Sequence, residues 1–309
     1  MNLAVIDVGS NGARMQISRV LINDSATKDK PIYSLKEVEY VRFPLRLGED
    51  VFDFYAISPK KENQILKLLL SFKLLIELFE CEDMLAVATS AFREASNGKE
   101  IVQKIKKEIG IDLQIISGSQ EAEYLSFIIS TMLEADKNYL HIDVGGGSTE
   151  LSLYINTQRV NSKSFPVGSI RNANSTENQE NMQAIQDWVK EQIALHNVKK
   201  AEIFAIGTGG NINKISSLVE RKGNFIPVAD IKAVQGHIAK MSLEERINKL
   251  KLNPDRADTI LPATSIYLSV MQWAGAKTIL VPKVGLKDGI LHYLMQKNLH
   301  KIVEKDRIA

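Results

Sequence analysis

Two stretches of the sequence share one pattern: LAVIDVGSNGARMQISRV at Leu3–Val20 and YLHIDVGGGSTELSLYI at Tyr139–Ile155. In each, an apolar run ends in Asp-x-Gly, a turn of small residues follows, and alternating apolar and polar residues come next. This order predicts a strand, a tight turn and a second strand. The stretches align without gaps, with Asp7 opposite Asp143. We therefore predict a duplicated domain in which each half opens on the same hairpin.

The composition is that of an ordinary globular chain. Of its 309 residues, 44% are hydrophobic and 25% are charged, and roughly 150 residues per domain suggests two domains. A net charge of +2 gives no global attraction to nucleic acid or to an anionic membrane, so we expect neither partner. Cys81 is the only cysteine, which excludes an internal disulfide and fits a reducing compartment.

The sequence shows no targeting or membrane signal. It starts almost at once with a strand pattern instead of a signal peptide. The most apolar stretch, Ile65–Phe79, is interrupted by Lys67, Lys73 and Glu77, and it falls short of the roughly 20 apolar residues that a spanning helix needs. We expect a buried helix there, and a cytoplasmic protein.

Strand and helix signals alternate after each hairpin, which predicts the α/β class. The expected strands are Leu113–Ser117, Val160–Gly168, Ala201–Gly207 and Ala276–Pro282, and Met84–Phe92 is expected to be a buried strand that runs into a loop. The expected helices are Pro59–Phe79 after a Ser58 cap, Asn97–Ile109, Ser119 to about Leu133, about Met182 to His196, and Leu291–Val303.

The chemistry of the two turns favours anion binding. Glycine and serine let backbone N–H groups converge on an anion, and Ser10, Asn11, Ser148 and Thr149 can add further donors. An aspartate before each turn suits Mg²⁺, which prefers a few carboxylates and keeps several waters. An ordinary turn is the competing interpretation, since Asp-x-Gly is common after strands. Neither turn is followed by the GK[ST] of a Walker sequence.

Other places in the chain also fit an anion site. Arg93 follows a strand among small residues, where its guanidinium could bind phosphate, although a surface salt bridge would explain it too. Gly209 and Gly210 form a third glycine loop, which an ordinary strand-to-helix turn also explains. The motifs FPVGSIR and VPKVGLKDG supply three further cationic side chains, Arg171, Lys283 and Lys287, although most charged residues of this kind are simply solvated.

Glu121 is the candidate base. It falls in the first turn of a predicted helix, and Glu123 lies about 200° round that helix, so only one of the two can face a site. Glu121 could orient or deprotonate water, and the competing interpretation is a simple partner of the helix dipole. The five histidines show no metal spacing, and His141, inside a strand, is interpreted as structural.

The chain resembles the exopolyphosphatase / guanosine pentaphosphate phosphohydrolase (Ppx/GppA) family. The motifs that carry the resemblance occur in the family's order: IDVGSNGARM, ATSAFREASN, ISGSQEAEYL, HIDVGGGSTELSL, FPVGSIR, AIGTGGN and VGLKDGIL. The resemblance implies two ribonuclease-H-like domains of the actin, acetate kinase and Hsp70 superfamily, with an active site in the cleft between them. The implied domains are residues 1–128 with about 291–309, and 129–290.

The resemblance also implies residue roles. Glu121 matches the family's catalytic glutamate, which activates water. Asp143 matches an acidic residue that helps to place water or Mg²⁺, and Asp7 is the equivalent of Asp143 in the first hairpin. Glu150 is a further acidic match, so the expected metal ligands are Asp7, Asp143 and Glu150 and the expected cofactor is Mg²⁺. The expected phosphate-binding residues are Ser10, Asn11, Arg93, Gly145, Gly146, Gly147, Ser148, Gly209 and Gly210.

The sequence departs from the family pattern at four positions. Gly12 replaces a usual hydroxyl residue, Gln120 a frequent glutamate, Asn211 a common threonine and Lys287 a frequent arginine. The first and third of these changes put chain-length preference in doubt. We also expect a short form without the HD-type C-terminal domain of the long members, so long processive digestion is less expected.

Taken together, the sequence predicts a Mg²⁺-dependent phosphohydrolase. It would release terminal phosphate from inorganic polyphosphate, from guanosine pentaphosphate, or from both. Two alternatives stay open at this point: a non-catalytic sensor of these anions, and a small-molecule kinase of the same superfamily. The resemblance also suggests a homodimer.

Overall fold

A computed structural model of the protein describes residues 1–22, 33–171, 175–199, 202–219, 223 and 225–308. The chain forms two compact units. Unit 1 comprises Met1–Ser117, Glu123–Ile128 and Leu286–Ala309, and unit 2 comprises Gly118–Ala122 and Ile129–Gly285. The domain ranges implied by the family resemblance stay a prediction.

Unit 1 contains a sheet in the order β3-β2-β1-β4-β5 within the described residues. Its strands are β1 (Asn2–Val8), β2 (Ala13–Ile22), β3 (Tyr33–Phe43), β4 (Asp83–Ala88) and β5 (Leu113–Ile115). Its helices are α1 (Leu47–Phe54), α2 (Pro59–Leu78), α3 (Ser90–Glu94), α4 (Gly98–Ile109), α12 (Leu286–Lys297) and α13 (Leu299–Ile308), and α5 (Gly118–Ile129) is shared between the units.

The first three strands of unit 1 form an antiparallel meander, and β4 and β5 add parallel to β1. Alternate residues of β1 enter different cores because successive side chains point to opposite faces. Ile6 packs with residues of α2 and α4 on one face, while Leu3 and Val5 pack with Ile290 of α12 on the other. The carboxyl ends of the parallel strands β1, β4 and β5 therefore meet at one edge.

Unit 2 repeats this arrangement with a sheet in the order β10-β11-β9-β6-β7-β8. Its strands are β6 (Asn138–Val144), β7 (Thr149–Ile155), β8 (Gln158–Phe165), β9 (Ile203–Thr208), β10 (Phe225–Pro227) and β11 (Thr278–Leu280). Its helices are α6 (Thr176–Leu195), α7 (Gly210–Leu218), α8 (Val228–Ala239), α9 (Leu243–Asn248), α10 (Pro254–Ala257) and α11 (Ile260–Ala274).

The two sheets share one topology. An antiparallel meander, β6 to β8, is followed by β9 and β11, which lie parallel to β6 on its other side. The order β3-β2-β1-β4-β5 in unit 1 therefore corresponds to β8-β7-β6-β9-β11 in unit 2. Unit 2 adds β10 as an antiparallel edge strand next to β11. This is the ribonuclease-H-like arrangement, so the predicted α/β class and the duplicated hairpin are confirmed.

Most predicted elements are present, with shifted ends. Ser58 caps α2 through a bond from the Lys61 N–H, as the Ser-Pro signal predicts. The helix expected from about Met182 begins earlier, at Thr176, because the Ser175 side chain caps it. The single closing helix expected at Leu291–Val303 is wrong in extent, since two helices occupy this region, α12 from Leu286 and α13 to Ile308. Within the described residues, no helix has the length and apolarity required to cross a membrane.

The core of unit 1 allows a matched test of burial. Leu69 is fully buried in α2, while its neighbour Leu70 is 48% exposed. Leu69→Ala should lower the free energy of unfolding by about 2–5 kcal/mol through lost burial and a residual cavity, and Leu70→Ala by less than about 1 kcal/mol. Urea denaturation followed by circular dichroism measures both. Equal losses would contradict the packing of α2 described above.

Candidate active site

The first hairpin ends in a tight turn between β1 and β2. The Gly9 N–H donates to the Gly12 carbonyl at 3.1 Å, which closes the turn. The Ser10 hydroxyl lies 2.7 Å from the hydroxyl of Ser90, the first residue of α3. The turn after β1 and the helix after β4 therefore meet at the carboxyl edge of the first sheet.

The segment from Arg46 to Gly48, at the start of α1, packs behind this turn and donates hydrogen bonds to its carbonyl groups. Gly48 N–H donates to the Ser10 carbonyl at 2.9 Å, and Arg46 N–H donates to the Asn11 carbonyl at 3.0 Å. No described peptide bond is cis, so each carbonyl points opposite the next N–H. The N–H groups of Asn11 and Gly12 therefore face away from α1.

The second hairpin has the same backing. The segment that leaves β8 donates to three consecutive carbonyls of the glycine turn: Ser169 N–H to Gly145 at 3.0 Å, Ile170 N–H to Gly146 at 2.9 Å, and Arg171 Nε–H to Gly147 at 2.5 Å. By the same trans-peptide rule, the N–H groups of Gly146, Gly147 and Ser148 all face the opposite side. Three amides on one side of a glycine turn form a row of donors suited to an anion.

Gly168 makes this backing possible. A Cβ at Gly168 would lie 2.3 Å from the Gly146 carbonyl oxygen and 2.5 Å from the Gly147 nitrogen. Any side chain would therefore push the segment off the turn. The motif FPVGSIR therefore supports the second turn, a role that the sequence analysis did not predict for it.

The two hairpins differ in charge across the ladder. Asp7 pairs in register with Arg14, whose Nη1 donates to the Asp7 carboxylate at 2.8 Å. In the second hairpin the same register places Asp143 opposite Glu150. A carboxylate faces a guanidinium in one hairpin, and a carboxylate in the other.

Asp143 is held by neighbouring strands. It pairs in register with Thr208 of β9, whose hydroxyl donates to Asp143 Oδ1 at 2.6 Å. The same hydroxyl lies 2.9 Å from Nε2 of His141. Burial lowers the pKa of His141 to about 3, so the ring is neutral near pH 7. His141 is thus buried inside β6 and contacts the predicted site through Thr208, and its structural role stays a prediction.

Tyr267 of α11 joins the ends of β6 and β9. Its hydroxyl donates to the Thr208 carbonyl and accepts from the Val144 N–H at 3.1 Å. Burial, then the negative charge of Asp143, raises the pKa of Tyr267 well above its ordinary value, so it stays protonated. Gly209, with φ of +114°, fits beside this hydroxyl because it has no Cβ.

The start of α5 lies against the second sheet. A Cβ on Gly118 would lie 2.2 Å from the Cβ of Ser164 and 3.5 Å from Glu150 Oε1. Ser164 donates to Glu150 at 2.7 Å. Glu121 follows in the first turn of α5 and is 7% exposed, whereas Glu123 is exposed, as the helical geometry predicts.

Arg93 lies at the same edge of the first sheet as Ser10. Its Nη1 donates to the carbonyl of Ile116, just after β5, at 2.6 Å. The structure thus brings Ser10, Ser90 and Arg93 to the ends of the parallel strands, whereas the second turn and Glu121 belong to unit 2.

The acidic residues of unit 2 suit a hard cation. Asp143 and Glu150 face each other in register, and two carboxylates are what Mg²⁺ takes when substrate and water complete its shell. Among the described residues, no group of three or more His, Cys, Asp or Glu forms a dedicated metal cage. Asp7 fits this role less well because Arg14 already balances its charge. That all three bind metal stays a prediction.

Three of the four departures from the family pattern have packing explanations. A Cβ at Gly12 would lie 2.9 Å from the Phe43 carbonyl, so a serine there would require the strand to shift. The Asn211 amide donates to the Thr259 carbonyl at 3.4 Å, within unit 2. Lys287 donates to Gln16 and to Asp288, within unit 1. Gln120 is exposed, and nothing in the structure explains its change.

Sequence reasoning missed several of these residues. Arg14 could have been found, because a four-residue turn at 9–12 places it opposite Asp7. Thr208 and Gly118 were inside quoted motifs but carried no separate signal. Tyr267 had none, because its helix reaches β6 from more than a hundred residues away.

Comparisons with known proteins identify the family of this chain. The Ppx/GppA phosphatase family profile matches residues 27–298. The chain belongs to the Ppx/GppA phosphatase family. It is 31% identical over 307 residues to the bifunctional 3-dehydroquinate synthase/phosphatase of Fusobacterium nucleatum subsp. nucleatum, covering 90% of this chain but only 44% of that protein. It is 21% identical to exopolyphosphatase 1 of Mycobacterium leprae, covering 94% of this chain and 88% of the relative.

Solved structures show the same fold. A Ppx/GppA family member from Aquifex aeolicus superposes with a TM-score of 0.74 at 24% identity, covering 96% of this chain and 98% of that one. An exopolyphosphatase from Cytophaga hutchinsonii superposes with a TM-score of 0.78 at 20% identity and the same coverage. At these identities the likeness concerns the fold alone.

The Gly118 contact yields a compensation test. Gly118→Ala should cost about 1–3 kcal/mol of unfolding free energy by overpacking against Ser164, and much less when it is added to Ser164→Gly, a change that itself loses the bond to Glu150. Gly236→Ala in α8 is the control, since nothing lies within 4 Å of its Cβ, and it should stabilise by roughly 0.5–1 kcal/mol. Urea denaturation of each variant, with Ser164→Gly alone included, gives these costs, and an equal cost of Gly118→Ala in both backgrounds would refute the contact.

His141 predicts loss of stability in acid. Its pKa is about 3 in the folded protein and 6.5 unfolded, so between these values only the unfolded chain takes up the proton. Above about pH 6.5 His141 does not lower the free energy of unfolding. As the pH falls from there towards 3, the free energy of unfolding decreases by about 1.4 kcal/mol per pH unit. Urea denaturation at pH 7.5 and pH 5 should show a steeper fall for the wild type than for His141→Gln. Equal slopes would refute it.

Proposed function

We propose that this chain is a phosphohydrolase that releases terminal phosphate from a phosphoanhydride chain, with inorganic polyphosphate as the first candidate substrate. The oxygen of water attacks the terminal phosphorus, the bridging P–O bond breaks, and the shortened chain leaves with the bridging oxygen. Glu121 accepts the proton of the attacking water. The family membership supports the phosphatase class, and the substrate and mechanism are our proposal.

The observation that carries the proposal is the direction of the amides in each hairpin turn. The backing segments occupy the carbonyls of Gly145, Gly146 and Gly147, so the following N–H groups face together to the other side. Such preorganised donors stabilise phosphate oxygens without reorganisation during reaction. The turn at Ser10 and Asn11 has the same amide direction, and we assign phosphate binding to both turns.

Glu121 suits the role of base by its position. It lies in the first turn of a helix whose start contacts Ser164, the hydrogen-bond partner of Glu150. A buried carboxylate on a helix held in this way can orient water, which is most of what phosphoryl transfer requires. We assign to Arg93 the neutralisation of charge on the phosphate oxygens.

Mg²⁺ is the proposed cofactor, with Asp143 and Glu150 as its protein ligands. Bound there, it would supply positive charge against phosphate oxygens. Ser164 donates to the Glu150 carboxylate at 2.7 Å, which restricts the orientation of that carboxylate. In this proposal Asp7 fixes Arg14 instead of binding the metal directly.

The choice of substrate follows the relatives. Exopolyphosphatase 1 of Mycobacterium leprae aligns over 94% of this chain, which favours inorganic polyphosphate. Guanosine pentaphosphate is the second substrate candidate, because its 5′ phosphate offers the same anhydride. A sensor without catalysis is weakened, since the changes at Gly12 and Asn211 fit local packing. The expected homodimer and cytoplasmic location stay predictions.

Glu121→Gln tests the mechanism. With Mg²⁺, phosphate release from polyphosphate of graded length and from guanosine pentaphosphate should fall about 10²–10⁴-fold, because the base is lost. Glu123→Gln, two residues along the same helix and exposed, is the matched control and should keep full turnover. The faster substrate identifies the natural class.

Two outcomes would contradict the proposal. Full turnover by folded Glu121→Gln would remove Glu121 from the mechanism. No release by the wild type from any of these substrates, with tight binding of the same anions, would establish the sensor instead.

A further inference from the structure

The second sheet contains a buried polar chain that the proposed function does not use directly. Thr208 is fully buried at the end of β9, and His141 is 1% exposed in β6. The Thr208 hydroxyl lies 2.6 Å from Asp143 Oδ1 and 2.9 Å from His141 Nε2. Three side chains from two adjacent strands thus form one continuous hydrogen-bonded chain.

Donor counting determines the direction of this chain. An ionised carboxylate only accepts, and a hydroxyl has a single hydrogen, so Thr208 must donate to Asp143. Thr208 can then only accept from His141, so the hydrogen of the ring must be on Nε2.

The backbone around this chain is also held. The Tyr267 hydroxyl donates to the Thr208 carbonyl and accepts from the N–H of Val144, the residue after Asp143. Thr208 and Asp143 are register partners in parallel strands. Their side chains therefore have little freedom to separate, and the hydroxyl cannot rotate away without breaking the bond from His141.

We infer that Thr208 is a positioning residue for Asp143, and that the Nε2–H of His141 sets the direction of its hydroxyl. The role of Asp143 in cation binding and phosphate release is taken from the proposed function. Partners of a metal-binding carboxylate orient it, and their loss typically costs 10–100-fold in metal affinity or activity. Position 208 is thus expected to matter through Asp143, without touching substrate.

The central experiment compares Thr208→Val with Thr208→Ser. Valine keeps the shape and removes the hydroxyl, so the affinity for Mn²⁺, measured by electron paramagnetic resonance without substrate, should fall about 10–100-fold. The kcat for polyphosphate should fall similarly with little change in KM. Serine keeps the donor and should stay within about 3-fold of the wild type on both measures.

A second readout is independent of both metal and turnover. In protein labelled with ¹⁵N-histidine, NMR reports which ring nitrogen carries the hydrogen, and the missing signal of His141→Gln assigns the resonance. We expect Nε2 of His141 to carry a hydrogen, because the Thr208 hydroxyl accepts from it. An Nδ1–H form would overturn the inferred direction, including in the case that Thr208→Val fails to fold.

Measuring phosphate release and Mn²⁺ affinity together distinguishes failure of this inference from failure of the proposed function. If the wild type releases phosphate and folded Thr208→Val has unchanged kcat and unchanged Mn²⁺ affinity, the positioning role is wrong. If the wild type releases no phosphate but Mn²⁺ affinity still depends on the Thr208 hydroxyl, the proposed function is wrong and the positioning role stands. If Thr208→Ser loses as much as valine, the hydroxyl is not the cause, and the inference is overturned.

Discussion

The direction of the peptide groups in the two hairpin turns is the constraint on which the site depends. A trans peptide points its carbonyl and its N–H to opposite sides, so a segment that occupies the carbonyls also aims the amides. Gly48 backs the first turn and Ile170 backs the second, each from the chain that leaves the third strand. The duplication therefore includes the support of each hairpin as well as the hairpin itself.

The charges of the two hairpins are not duplicated. Arg14 faces Asp7, whereas Glu150 occupies the equivalent position opposite Asp143. One half of the repeat thus carries an internal ion pair, and the other carries two facing carboxylates that suit a cation. This difference at one register position explains how two copies of one hairpin can take different roles: in the proposed function both turns would bind phosphate, and one hairpin would add the metal site.

Close backbone approaches place the catalytic candidates. Gly118 brings the start of α5 against Ser164, and Gly168 brings its segment against Gly146. Neither position could hold a side chain without moving an element that carries part of the site. Gly209 acts likewise between Asp143 and Tyr267, with a backbone angle that favours glycine. These glycines of the motifs thus have a packing role that is separate from the phosphate contacts proposed for the turns.

By itself, the sequence determined the α/β class, the duplication, and the strand and helix order, because hydrophobic periodicity and caps such as Ser58 act locally. It also separated Glu121 from Glu123, since helical geometry alone places them on different faces. Only the tertiary structure decided that His141 bonds to Thr208, that Tyr267 joins two strand ends, and that Gly118 packs against the Ser164 side chain. These contacts join residues far apart in the chain, and no local pattern encodes the register and close approach that create them.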